Sequence, residues 1–113
     1  MLETNSDLDA TNPDDQQEIT ERFILNTLFF ATDGEAWDVN SEWTAATDIC
    51  SPWFGIVCQN NTVTEVSLNT NGLFGTIPSE ISGLSNLRTF DVGANILFGA
   101  IPETIGEMTM LGK

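Results

Sequence analysis

The chain has 113 residues, which is enough for one domain with a modest core. It carries 3 Lys plus Arg against 17 Asp plus Glu, a formal net charge of −14, and no His. A chain this acidic lacks the clustered cations that nucleic acid or an anionic membrane surface requires. The absence of His also removes the usual base of catalytic triads and the His ligands of zinc sites.

The first 31 residues predict an acidic lead-in followed by a helix. Residues 1–11 are polar, acidic and aperiodic, so we expect them to be disordered. They carry neither the basic start nor the apolar run of a signal peptide. Asn12 is the predicted N-cap, with Pro13 at the first helical position. Because Gly34 offers a stop, we predict a helix over residues 13–32.

The predicted helix is apolar on two sides. Ile24, Leu28 and Ala31 share one side at 100° per residue, and roughly opposite lie Ile19, Phe23 and Phe30. We expect the first side to pack towards the repeats described below. The second side has no obvious partner in so small a chain, so we expect it to be partly exposed.

Residues 35–58 are irregular and rich in aromatic residues, among them Trp37, Trp43 and Trp53. With little regular hydrogen bonding, such a segment depends on packed indoles for much of its stability. Cys50 and Cys58 close together in this segment favour one disulfide, which would indicate an oxidising compartment. A metal pair or two free thiols are the alternatives, although two cysteines without His are too few for a zinc site.

The strongest pattern is a repeat of 24 residues. Residues 63–86 and 87–110 are identical at seven of 24 positions, including Asn71/Asn95, and Leu111 opens a third copy. A fixed period of 24 with the pattern L-x-x-L-x-L-x-x-N-x-L lies in the range of leucine-rich repeats. Alternating Val66 and Leu68 predict a short strand with one buried face. We interpret Asn71 and Asn95 as scaffold, because a carboxamide can satisfy backbone groups where the chain turns.

Two segments, residues 73–78 (LFGTIP) and 97–102 (LFGAIP), resemble the L-x-G-x-I-P signature of plant-specific leucine-rich repeats. Residues 13–58 are similar to the N-terminal cap that precedes such repeats, and the overall layout is closest to proteins of diatoms and related algae. The resemblance implies an α+β fold: a solenoid of right-handed β/3-10 coils with a concave parallel sheet and an N-terminal α-helical, Trp-rich cap. It also implies that a cap disulfide joins Cys50 to Cys58. The implied use is protein or peptide recognition, in a receptor-like or secreted protein at the cell surface or outside the cell.

The resemblance suggests three regions: a lead-in (1–11), a cap (12–61) and two repeats with the start of a third (62–113). At least three repeats and a polar terminal repeat are normally needed for stability, so we expect a piece of a longer protein. The missing third coil should leave several apolar side chains half covered, and the piece should self-associate through that edge. These side chains are Leu97, Ile101, Ile105, Met108 and Leu111.

The candidate binding residues are those that a concave sheet would turn outward. They are small, polar and weakly acidic, with Arg88 as the one cation nearby, and a merely solvated face is the alternative interpretation. The set comprises Glu65, Ser67, Asn69, Thr70, Thr89 and Asp91. Asn60, in an Asn-x-Thr tripeptide, is a candidate for glycosylation.

Other functions are less favoured by the sequence. A row of Thr64, Thr70 and Thr76 could order water, so an ice-binding or assembly surface is the alternative function. No phosphate loop, Cys–His pair or nucleophile elbow is present, so we expect no enzyme and no cofactor. We interpret the acids Asp33, Glu35 and Asp38 as a solvated charge run and expect no metal site, because they lack the spacing of a calcium loop.

Overall fold

A computed structural model describes residues 13–50 and 53–99 of the chain. Helix α1 (Pro13–Ala31) and a short 3-10 helix, η1 (Gly34–Ala36), come first. Five short strands and a second 3-10 helix follow: β1 (Ile56–Gln59), β2 (Thr62–Ser67), β3 (Phe74–Gly75), η2 (Ser79–Gly83), β4 (Thr89–Asp91) and β5 (Ile96–Leu97). The fold is therefore a small mixed helix and sheet domain. None of the helices in this part of the chain is long and apolar enough to cross a membrane.

Helix α1 has the bounds that the sequence predicts to within one residue, although its end is built differently. Asp33, rather than Gly34, adopts the left-handed conformation after the helix, with φ of 58°. Gly34 instead begins η1, and a Cβ atom there would overlap the ring of Phe29. Gly34 is thus required for close packing rather than for the helix stop. The predicted N-cap, Asn12, lies outside the described residues.

Helix α1 packs on η1, β2 and η2 with the side that the sequence predicts. Ile24 and Leu28 are buried, and Gly83 of η2 lies against the Ile24 side chain. On the opposite side Phe23 and Phe30 are 51% and 57% exposed, as expected. The buried side of the helix is wider than predicted, because it also includes three polar residues: Glu21, Arg22 and Asn26.

The strands form two small sheets. In the first, of order β1-β2-β4, β1 pairs antiparallel with β2 and β4 pairs parallel with it, so that Val66 lies opposite Phe90, 24 residues later. In the second, β3 pairs parallel with β5. The expectation that residues 35–58 are irregular is wrong for β1. This strand forms because Asn60 and Asn61 both adopt positive φ, 53° and 64°, in the two-residue turn that leads into β2.

The buried core has an aromatic part and an aliphatic part. Trp37, Trp43, Trp53 and Phe29 are all buried, and successive ring centroids lie 4.9 to 5.2 Å apart. Each indole N–H donates a hydrogen bond: Trp37 to Thr32 O, Trp43 to Phe54 O and Trp53 to Thr47 Oγ1. All three indoles of this irregular segment are therefore both packed against other rings and hydrogen-bonded.

The aliphatic part of the core follows the repeat. The predicted inward residues Val66 and Leu68 are fully buried, whereas Phe90, Val92 and Leu97 of the second copy are only partly buried. Leu97 is thus partly buried, as expected, within the described residues. The other side chains of that expectation (Ile101, Ile105, Met108 and Leu111) and the lead-in over residues 1–11 lie outside them.

Candidate recognition surface

The predicted disulfide between Cys50 and Cys58 is confirmed. The two cysteines are eight residues apart in sequence, and their Cα atoms are separated by 5.4 Å. Cys58 belongs to β1, where it lies opposite Val63 of β2. The disulfide therefore fastens the segment that carries Trp53 to the edge strand of the first sheet, and neither a metal pair nor free thiols describe these cysteines.

Arg22 connects α1 with the aromatic segment from inside the protein. Its side chain is 1% exposed, and its guanidinium donates to Ala45 O at 2.8 Å and to Thr47 O at 2.7 Å. The same group pairs with Glu18 at 3.0 Å and lies 5.5 Å from the ring centroid of Trp53. A buried charge is stable only when it is paired and hydrogen-bonded, and these contacts meet most of that requirement.

Glu21 connects α1 with the first sheet. Its carboxylate accepts hydrogen bonds from Val63 N at 3.1 Å and from Gln17 Nε2 at 3.0 Å. Burial raises the pKa of this carboxyl above its ordinary value, while the two hydrogen bonds act in the opposite direction. The helix thus holds the beginning of β2 in place through a buried acid that the hydrophobic pattern does not predict.

The two repeated asparagines bind backbone groups of earlier segments of the chain. Asn71 accepts from Val39 N at 2.7 Å through Oδ1 and donates to Val39 O at 2.8 Å. Asn95 accepts from Asn71 N and Leu73 N, at 2.9 and 3.0 Å. Its Nδ2 faces three carbonyls, those of Leu68, Val92 and Gly93. Both asparagines therefore join their own copy to an earlier segment of the chain, although Asn95 makes more of these hydrogen bonds than Asn71 does.

The first sheet has one outward face, which contains the candidate binding residues. Val57, Glu65 and Thr89 lie opposite one another on β1, β2 and β4, and Ser67 lies beside Asp91. Directly opposite residues share a face, so these side chains form rows across the sheet. We call the surface formed by these five side chains the outer face of the sheet.

All six candidates lie on or just beyond the outer face. Glu65, Ser67, Thr89 and Asp91 are half-buried, whereas Asn69 and Thr70, after β2, are exposed. Hydrogen bonds order several of them: Ser67 Oγ donates to Glu65 Oε2 at 2.6 Å, and Asn69 Nδ2 donates to Asp91 Oδ2 at 3.1 Å. Whether these residues bind a ligand stays a prediction.

Two residues of this region differ from the sequence prediction. Val57, which the repeat pattern does not identify, is 45% exposed beside Glu65. Thr64 is predicted in an exposed threonine row, and this is wrong, because Thr64 is buried at an irregularity in the β1–β2 pairing. The extra residue on β2 turns Thr64 out of the regular alternation. A water-ordering row of Thr64, Thr70 and Thr76 is therefore not present in this form.

A polar recess lies at the end of the outer face where β2 and β4 begin. It has a volume of about 230 Å³ and is lined by Gln59, Asn60, Thr62, Thr64, Asn86 and Arg88. Asn60, the candidate for glycosylation, is exposed in the turn between β1 and β2. Across residues 13–50 and 53–99, no three acidic or cysteine side chains cluster in a way that could hold a metal ion.

Comparison with known proteins finds leucine-rich repeat proteins of plants. The chain is 42% identical to receptor-like kinase TMK4 of Arabidopsis thaliana over 63 residues, which are 56% of this chain and 7% of that protein. It is 38% identical to leucine-rich repeat protein FLOR 1 of the same plant over 72 residues, 63% of this chain and 22% of the relative. The chain therefore spans less than a quarter of the length of either relative. No family model matches.

Solved structures match the chain as well. The crystal structure of PEPR1-AtPEP1 matches 81% of this chain and 13% of its own, with a TM-score of 0.69 and 29% identity. A leucine-rich repeat protein from Bacteroides thetaiotaomicron matches with a TM-score of 0.56 and 24% identity, over 65% of this chain and 10% of its own, which shows likeness of fold alone. TMK4 and FLOR 1 are proteins of Arabidopsis, so they do not support a closer likeness to diatom or algal proteins. By sequence and by fold, this chain is similar to leucine-rich repeat, receptor-like proteins.

Proposed function

We propose that this chain is the N-terminal part of a leucine-rich repeat ectodomain that recognises a protein or peptide, and that it has no catalytic role. The observation that carries the proposal is the parallel pairing of β2 with β4, residue 66 opposite residue 90. This pairing sets equivalent side chains next to one another, so each further copy would extend the outer face. Repeat proteins bind partners on such continuous faces. The likeness to receptor-like kinases and to the PEPR1-AtPEP1 complex supports the same use.

The architecture proposed with this function is a solenoid of right-handed coils behind an N-terminal cap. The cap would comprise residues 12–61, with the helix and the three tryptophans, and the repeats would begin at residue 62. Residues 1–11 would be a disordered lead-in. A particular closeness to diatom and algal proteins is a separate proposal, and higher identity to proteins of those organisms over both cap and repeats would support it.

We propose an extracellular or cell-surface location. The Cys50–Cys58 disulfide supports it, because disulfides persist in oxidising compartments. Asn60 is exposed in a turn, which favours modification of its Asn-x-Thr tripeptide after secretion. Expression of the chain behind a secretion signal in plant cells tests the modification: glycan should be found at Asn60 and should disappear in Asn60→Gln.

The far edge of the two sheets is proposed to be covered by another copy of the repeat. Within the described residues β4 and β5 each pair on one side only, and Ile96 and Phe98 are 62% and 55% exposed. Exposed apolar surface of this kind favours association. We expect the 113-residue chain to dimerise or aggregate and a chain with added repeats to be monomeric. A stable monomer of the short chain in ultracentrifugation, with a sharp unfolding transition at high temperature, would refute this part.

The recognition proposal is tested with a charge reversal on the outer face. Peptides are selected from a random library against the oxidised chain, and their affinities are then measured for Glu65→Arg and Glu80→Arg. Glu65 lies on the outer face, whereas Glu80 is exposed on η2, so the two variants make the same chemical change at different places.

We expect Glu65→Arg to change the affinity of the selected peptides by about tenfold or more, because charge at an interface fixes partner choice. Glu80→Arg should leave it unchanged. Failure to select any peptide above an unrelated control protein, or equal effects of the two variants, contradicts recognition by this face.

A further inference from the structure

The polar recess around Arg88 has the size and chemistry of a binding site for one small group. Its volume of about 230 Å³ would take a single side chain or a chain terminus rather than a longer segment. Five of its six lining residues are neutral and polar, and the sixth is Arg88. The side chains that line it therefore offer hydroxyls, amides and one cation to a ligand.

Arg88 is exceptional in the charge distribution of the protein. The net charge is −14, and the other arginine, Arg22, is buried with its guanidinium bonded to Ala45 O, Thr47 O and Glu18. Arg88 is exposed, and within residues 13–50 and 53–99 no carboxylate forms an ion pair with it. An anion approaching the described surface meets acidic residues elsewhere and an unpaired guanidinium here.

The groups around Arg88 are held in place by hydrogen bonds. Arg88 N donates to Thr64 O at 2.8 Å, which fixes the start of β4 against β2. Asn86 Nδ2 donates to Thr62 Oγ1 at 3.1 Å, and this hydroxyl donates in turn to Gln59 O at 2.9 Å. A site whose walls are fixed before binding loses less entropy when a ligand enters.

We propose that the Arg88 recess binds a carboxylate of the peptide or protein ligand. A guanidinium is always charged and presents paired N–H donors that match the two oxygens of a carboxylate. The amide of Gln59 is a further donor at the exposed rim. The carboxylate belongs either to an acidic side chain or to a C-terminus, and it would fix one end of a ligand that lies along the outer face. In that last respect the inference rests on the function proposed above.

The test is a titration of the oxidised chain, made in bacteria so that Asn60 carries no glycan, followed by NMR at neutral pH. The probes are N-acetylglycine for a terminal carboxylate, N-acetylaspartic acid amide for a side-chain carboxylate, and N-acetylglycinamide as the neutral control. We expect saturable shifts of the Arg88 Nε–H and Asn86 side-chain signals with at least one acidic probe and none with the neutral one. The acidic probe that binds more tightly identifies the source of the carboxylate.

Two variants separate a local contact from a change in net charge. Arg88→Gln and Ala36→Glu each make the chain more negative by one unit, and Ala36 is exposed on η1, outside the recess. We expect Arg88→Gln to weaken the acidic probe by about tenfold, as loss of a charge-assisted hydrogen bond requires, and Ala36→Glu to leave it unchanged. Equal weakening in both variants, shifts that do not saturate, or equal binding of the neutral probe would overturn the carboxylate site.

The small probes also separate this inference from the proposed function. Saturable binding of a probe when no peptide can be selected would contradict peptide recognition but support carboxylate binding in the recess. Selected peptides that bind Arg88→Gln as tightly as the unaltered chain would contradict the claim that the recess binds a carboxylate of the ligand. They would still support recognition by the outer face.

Discussion

The helical and aromatic half of this protein (residues 13–58) and its repeating half (residues 62–99) are held together in different ways. The first depends on a few large contacts that occur once: three buried indoles, one disulfide and a buried Arg22. The second depends on smaller contacts that recur along the chain, such as those of Asn71 and Asn95. A contact that occurs once has no substitute when it is removed, whereas a repeated contact is lost only locally.

The two halves meet through polar contacts as well as apolar ones. Asn71 binds both backbone groups of Val39, and Glu21 accepts a hydrogen bond from Val63 N. Gly75, with φ of 141°, lies so close to Ala31 O that a Cβ atom would overlap it. The first half therefore presents the second with backbone positions that a preceding repeat would otherwise supply.

The largest effect is expected from Trp43→Ala. Trp43 contacts Phe29, Trp37 and Trp53, and its loss would leave a cavity in the middle of the aromatic cluster. Truncation of a buried aromatic side chain costs about 3–5 kcal/mol. Urea denaturation measures the change, with Phe54→Ala as the control because Phe54 is exposed. Equal losses in the two variants would contradict a cluster of single, irreplaceable contacts.

The second effect is that of breaking the Cys50–Cys58 disulfide. A loop closed over eight residues of separation contributes about 2–3 kcal/mol in the chain-entropy model. We expect Cys50→Ala/Cys58→Ala, or reduction, to lower the melting temperature and to increase proteolysis next to Trp53 before the repeats are cut. Two free thiols, found by mass spectrometry in protein from an oxidising compartment, would be incompatible with this account.

The third effect compares equivalent positions in the two copies. Asn71→Ala leaves Val39 N and O without their partner, and we expect a loss of about 1–2 kcal/mol because Asn71 is buried. Asn95→Ala, at a half-buried position, should cost less. Hydrogen exchange checks the origin of each loss: Val39 N–H should exchange faster in the first variant, and Asn71 and Leu73 N–H in the second. The same amides responding in both variants would disprove separate, local contacts.

The sequence predicts what depends on local periodicity. Helix α1 follows from its start and stop signals, and the β2–β4 pairing has the offset of the 24-residue repeat. The burial of Arg22 does not follow, because its acceptors Ala45 O and Thr47 O lie 23 and 25 residues away, and hydrophobic patterning assigns charged residues to the surface.

Part of the candidate site follows from the sequence in the same way. Alternation along β2 is sufficient to identify Glu65 and Ser67, since their neighbours Val66 and Leu68 are apolar. Val57 reaches the outer face only through pairing across the Asn60–Asn61 turn, and the Arg88 recess combines two separate stretches of chain, residues 59–64 and 86–88. The periodicity of one segment does not show which other segment pairs with it, so features that depend on such pairing cannot be predicted from it.

The smallest effect concerns Glu21 and the junction between the halves. Because burial raises the pKa of this carboxyl, the folded chain holds its proton more tightly than the unfolded chain does. Stability from this group is therefore greatest at low pH, falls as the pH rises from the ordinary glutamate range through the raised pKa, and is constant above it.

In Glu21→Gln, Oε1 can still accept from Val63 N without a charge to bury. Its unfolding free energy, relative to that of the unaltered chain, should rise over the same pH interval. Glu80→Gln, at an exposed position, should show no such interval. The contrary outcome is a difference in unfolding free energy between Glu21→Gln and the unaltered chain that stays constant or falls with pH. That result would show that the hydrogen bond from Val63 N, rather than burial, determines the pKa of the Glu21 carboxyl.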